Sequence, residues 1–139
     1  MNRNVYIQTA IGILSALKGQ LPAVVAVTSS SPHVDCLFHT QKLAEAFAAL
    51  KEDAAVSESV FRNAAEAAEG VEALKNAHRI TLIPLSAPSQ DDFSLLTASA
   101  AQNALLVEKS GVSRTDEIGE TLELLRGVGT TVFGFLYAE

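Results

Sequence analysis

The sequence predicts an α/β domain built on one parallel sheet of about four or five strands with helices on both sides. Three observations carry this. Short apolar runs alternate with segments of helical period along the chain, which is the signature of a sheet built from strand–helix–strand units. The strand runs are nearly continuous in apolar residues, as strands buried on both faces are. The 139 residues contain no linker, repeat or low-complexity stretch, so residues 1–139 form a single domain.

The first segment places Tyr6, Ala10, Ile13, Leu14 and Leu17 at helical spacing and stops near Gly19. Pro22 introduces Ala23–Thr28, a β-branched run that reads as a buried strand. A serine cluster and Pro32 form a loop, and Leu43, Phe47 and Leu50 then share one helical face. Val56 and its neighbours form a very short strand. Phe61, Ala65, Ala68, Val71 and Leu74 make a third helix, weakened by Gly70. Arg79–Leu85 is the next strand, and Pro84 suits its end because proline cannot donate to a ladder. Asp91 caps a helix through Phe93, Leu95 and Leu96. Asn103–Lys109 is a strand. Ile118, Leu122 and Leu125 stand in register on a helix that ends at a glycine, and the run "TTVFGFL" is the last strand.

Composition excludes several functions. Apolar residues make up 48%, and the net charge is −6 with acids spread along the chain. Nucleic acid and anionic membranes both require a basic surface, so neither is an expected partner. The absence of tryptophan argues against a base-stacking platform. Cys36 is the single cysteine, which rules out an internal disulfide and fits a reducing compartment. No leader pattern opens the chain, and no apolar stretch reaches the roughly 18–20 residues that span a bilayer. A cytoplasmic location is the expectation.

The stretch after Thr28 carries the functional question. Open parallel sheets bind ligands beyond the C-terminal ends of their strands, and this loop lies at such an end. A phosphate-cradling loop needs glycines for close backbone approach, a lysine for the phosphates and a hydroxyl for Mg²⁺. Here Pro32 is followed by His33, Val34, Asp35, Cys36, Leu37 and Phe38.

The order of these segments resembles the cytoplasmic domain of the bacterial tyrosine autokinases, the capsular and exopolysaccharide kinases related to MinD-type ATPases. "AVTS", Ala26–Ser29, resembles the family's strand. Pro32 matches the loop proline, and "KLAEAFA", Lys42–Ala48, matches the helix. "NALLVEKSGVSRTDEIGETLELLRGVGTTVFGFL" resembles the family's strand, basic loop, helix and final strand. The resemblance implies a three-layer sandwich of P-loop NTPase-like, Rossmann-like topology. It also puts His33 and Asp35 at the loop glycines, Cys36 at the lysine, and Leu37 and Phe38 at the hydroxyl residues. Pro84, Leu85 and Ser86 stand in the region of the Mg²⁺-linked aspartate, and the family's second acidic strand has no clear counterpart. Tyr137 is the one tyrosine near residue 139, so a tyrosine-rich tail is not expected.

The expectation is a degenerate, non-catalytic member that acts by protein contacts in exopolysaccharide synthesis or export. No catalytic residue, nucleotide cofactor or metal is expected. Ser30, Pro32, His33, Asp35, Cys36, Leu37 and Phe38 are vestiges of the loop. The resemblance implies a protein partner or homo-oligomer, since kinases of the family form rings and work with a membrane partner.

Other readings of the same loop remain. Cys36 at a helix start is a candidate nucleophile with a neighbouring histidine as base. Cys36 and His39 are candidate metal ligands one helical turn apart, although His78 lies far along the chain. The plain reading has Ser31 or Asp35 capping the helix, Cys36 buried and the histidines at the surface. Ser29, Ser30 and Ser31 either hold a small anion or satisfy their own loop. Arg114 is a partner contact or a solvated side chain. The rival in another class is a small α/β enzyme or ligand-binding module using the Ser29–His39 loop, and a third reading is a nucleotide binder that relies on loop backbone alone.

Overall fold

A computed structural model describes residues 4–138. Helix α1 (Val5–Leu17) leads into β1 (Ala23–Thr28), α2 (Cys36–Ala49) and β2 (Ala54–Val56). Then come α3 (Ala64–Ala77), β3 (Ile80–Pro84), α4 (Asp92–Ala101), β4 (Asn103–Lys109), α5 (Thr115–Gly127) and β5 (Thr131–Ala138). The five strands form one sheet in the order β2-β3-β1-β4-β5, and every pairing is parallel.

Period two along β1 divides the core. Val25 and Val27 face α1 and α2, where they join Ile13, Leu43, Phe47 and Leu82. Val24 and Ala26 face the other layer with Val71, Ala98, Leu106 and Leu125 of α3, α4, β4 and α5. A strand with such neighbours on both sides must be apolar throughout, and all six β1 residues are buried. Pro84 ends β3 opposite Val27, where its missing N–H costs no central ladder bond.

The apolar spacing identifies only part of the buried face of α3, where Val71 and Leu74 pack into the core, and little of that of α4. In α3 the buried residues are Ala67 and Val71, whereas Ala65 and Ala68 are exposed. Phe61 lies before the helix, and its ring packs across Gly70. A Cβ on Gly70 would stand 2.1 Å from Phe61 Cε1. Gly70 therefore provides the space for that ring as well as lowering helix propensity. In α4 the buried residues are Ser94, Thr97, Ala98 and Ala101, while Phe93 is 51% exposed. Small residues let α4 sit close to the sheet, and Leu95 and Leu96 fill only its flanks.

The β4–β5 ladder breaks between Ala104 and Leu106. Ala104 pairs with Val132, yet Leu106 pairs with Phe135, so β5 holds one extra residue. Gly134 lies at that bulge with φ +153°, a backbone that side chains rarely adopt.

Candidate functional site

Connectivity opens a crevice beside β1. The chain leaves β1 for α2 on one face, but leaves the flanking β3 and β4 for α4 and α5 on the other. Loops that depart in opposite directions cannot pack on each other, and ligand sites of open α/β sheets form at such switch points. The cleft here has a volume of about 670 Å³. Its walls are the Ser31–Leu37 loop, Glu58–Val60 after β2, Pro84–Ala87 after β3 and the first turns of α4.

Glu108 organises the end of β1 from below. This carboxylate stands near the end of β4 and is only 1% exposed. Its Oε1 accepts the Ser30 N–H at 2.8 Å and the Ser29 hydroxyl at 3.2 Å. Its Oε2 accepts a short hydrogen bond from the Ser30 hydroxyl. A buried carboxylate needs several donors to offset its lost hydration, and the serine cluster supplies three. Glu108 was not singled out from the sequence, nor were Glu58, Ser94 and Thr97 of the cleft walls. A glutamate interrupting the apolar run "ALLVEK" is the signal that could have found it.

Further amides of the loop find acceptors within it. Ser31 N–H donates to Ser29 Oγ at 3.1 Å, and His33 N–H donates to Ser31 Oγ at 3.2 Å. Cys36 N–H donates to the Val34 carbonyl at 3.1 Å. Asp35 is the N-cap of α2, and its Oδ1 accepts the Phe38 N–H at 3.0 Å. Asp35, not Ser31, fills the capping role. Five amides of the loop, those of Ser30, Ser31, His33, Cys36 and Phe38, thus already have internal acceptors, two of them carboxylates.

The seven loop positions split in space. Pro32, Asp35, Cys36 and Leu37 line the cleft. Ser30 is buried beneath it against Glu108, and His33 is exposed. Phe38 is exposed and packs edge-on against His39, with Lys42 Nζ 5.7 Å from its ring centre. His39 is part-buried instead of lying free at the surface, because its Nδ1 shares a 2.8 Å hydrogen bond with the Tyr6 hydroxyl of α1.

Electrostatics disfavour a reactive thiol. Cys36 is 7% exposed. Burial, then the negative charges of Glu108 and Asp35, push its thiol up to about 12. A thiol that keeps its proton at neutral pH is a poor nucleophile. Among the described residues, no group of three or more His, Cys, Asp or Glu side chains is placed to hold a metal ion. His78 follows α3 and precedes β3, at the opposite end of the sheet from the loop. Arg114 is exposed and pairs with Asp116 at 3.3 Å. On the far wall, Thr28 Oγ1 donates to the Ser86 carbonyl at 3.0 Å, tying the exit of β3 to the end of β1.

Fold and site together define a three-layer α/β domain of P-loop-like topology whose strand-end loop turns five of its amides onto its own acceptors. The same fold is seen in the kinase domain of Escherichia coli tyrosine kinase ETK, at a TM-score of 0.79 and 9% identity over 94% of this chain and 74% of that one. The chimerical protein CapA2B2 is similar at a TM-score of 0.75 and 12% identity, over 95% of this chain and 82% of its own. The BceF tyrosine kinase domain is similar at 0.66 and 15% identity, over 95% and 73%. Identities this low establish the fold alone. No family model and no curated protein sequence matches the chain. Among the described residues no helix is long and apolar enough to cross a membrane.

Proposed function

We propose that this chain is a non-catalytic P-loop-like domain that neither binds nor hydrolyses nucleotide and works through protein contacts. The observation that carries this reading is the Glu108 carboxylate on the Ser30 amide. A triphosphate entering the loop would meet the charges of Glu108 and Asp35 and find the amides of Ser30, Ser31, His33, Cys36 and Phe38 already bonded. It would find no lysine in the loop and no hydroxyl at Leu37 or Phe38 to ligate Mg²⁺. Phosphoryl transfer depends almost wholly on positioning and charge stabilisation, and this loop supplies neither.

The setting we propose is bacterial exopolysaccharide synthesis or export, with a protein partner or a second copy as the contact. What supports it is the ordered resemblance of the "AVTS", "KLAEAFA" and C-terminal segments, together with the shared fold of the tyrosine kinase domains. Fold does not fix function, so the test is direct. The purified chain is melted with and without millimolar Mg·ATP and Mg·ADP. A ligand at 100 times its Kd adds about 2.7 kcal/mol of stability. The expected result is no shift with either nucleotide, and a clear upward shift overturns the reading.

A further inference from the structure

The cleft carries negative charge and open hydroxyls without any cation among its walls. Asp35, Glu58 and Asp91 line it, and no Lys, Arg or His does. None of the three carboxylates forms a salt bridge among the described residues. Asp35 and Asp91 each spend Oδ1 on a backbone N–H, of Phe38 and Phe93 respectively, which leaves Oδ2 for another donor.

A second observation is independent of the acids. Ser94 and Thr97 of α4 are 3% and 1% exposed, and both line the cleft. Elsewhere in the molecule, Thr9 and Thr40 return their hydroxyls to the carbonyl one turn back in their own helices. Ser94 and Thr97 do not, and neither hydroxyl has a protein partner among the described residues. Nor are they sealed away like the partnerless hydroxyls of Thr81 and Thr121. A nearly buried polar group facing a cleft is satisfied by what enters it. Among the other lining residues Leu37, Leu85 and Val60, with Phe93 at the start of α4, supply apolar surface, beside the polar Ser59, Ser86 and Gln90. The volume is that of a small-molecule site.

We propose that this cleft binds a small organic cation, an ammonium or guanidinium group on an apolar body. The carboxylates of Asp35, Glu58 and Asp91 supply the negative field, one of them and the hydroxyls of Ser94 and Thr97 accept the N–H groups of the charged end, and the apolar body lies against Leu37, Leu85, Val60 and Phe93. Such a site rejects anions for the same reason that it accepts amines.

The test titrates the full chain with phenethylamine and, separately, with hydrocinnamate, an anion of similar shape, following backbone amide shifts by NMR. Saturable shifts at residues 31–37, 58–60 and 84–94 with the amine alone are expected. The variant Asp35→Asn/Glu58→Gln/Asp91→Asn keeps both helix caps while removing the charge. It should melt normally and bind the amine about tenfold or more weakly, because charge-assisted hydrogen bonds are lost. No saturable shift at millimolar amine, equal binding of hydrocinnamate, or unchanged affinity in a folded variant each overturns the proposal. A parallel titration with Mg·ATP separates the two readings: nucleotide shifts at the loop sink the proposed function, whatever the amine does.

Discussion

The Ser30 amide and the Glu108 carboxylate, residues on separate segments of the chain, meet at 2.8 Å and lock the end of β1 to the end of β4. Removing the carboxylate leaves buried donors on Ser29 and Ser30 without an acceptor. Glu108→Ala should therefore cost about 2–4 kcal/mol, and Glu108→Gln should cost less because one oxygen remains to accept. Urea unfolding measures both. An alanine variant as stable as the parent would mean that the serines find other partners.

Cys36 gives a signature at alkaline pH. Its folded thiol is pushed up to about 12, above an ordinary thiol, so the unfolded chain releases this proton first. Between the unfolded pKa and about 12 the folded state binds more protons, and stability falls as pH rises. Cys36→Ala should flatten that part of the profile. Iodoacetamide should label the native protein slowly at neutral pH and quickly after denaturation, and rapid native labelling would contradict the burial.

Gly70 and Phe61 form a size-matched pair. Gly70→Ala gains roughly 1 kcal/mol of helix propensity. Against this, its methyl would overlap the buried Phe61 ring, and overpacking of this kind costs about 1–3 kcal/mol. The expected net is a loss. Phe61→Leu in the same background should make Gly70→Ala less damaging, and a double-mutant cycle reads this coupling. Additive effects would mean that the ring moves aside freely.

His39 and Tyr6 join α2 to α1 in a pH-dependent way. Burial lowers the His39 pKa, outweighing the opposing charge of Asp35, and Lys109 lowers it further. The unfolded chain then takes up the proton first as pH falls. Stability is present above the ordinary histidine pKa of about 6.5 and is lost as pH falls through the lowered folded value. Tyr6→Phe removes a hydrogen bond worth about 1 kcal/mol at neutral pH. Melting the parent and His39→Gln across the acid range checks the slope, which the variant should reduce.

Strands were the legible part of this sequence. Ala23–Thr28 and Asn103–Lys109 lie at the stated bounds because continuous apolar runs have few other uses in a chain this short. Asp91 was legible as a cap for a local reason: an Asx side chain reaches its own helix start. The inward faces of α3 and α4 were legible only in part: Val71 and Leu74 were read on theirs, Ala67, Ser94, Thr97 and Ala98 were not. Helix α4 approaches the sheet through small residues, so its largest apolar side chains mark its flanks and not its contact line. The loop was legible in what it lacked. What replaced the missing groups was not, because Glu108 and Ser30 come together only when β4 is laid beside β1.

The extra residue at Gly134 also sets where the sheet ends. β5 is an outer strand with Phe135 and Tyr137 exposed and stacked 5.8 Å apart. A straight strand of that composition would be a template for adding further chains. The bulge splits its ladder into a short run before Gly134 and a longer one after it. An incoming strand would have to match two registers at once, so the one glycine limits growth of the sheet by the addition of strands from other molecules.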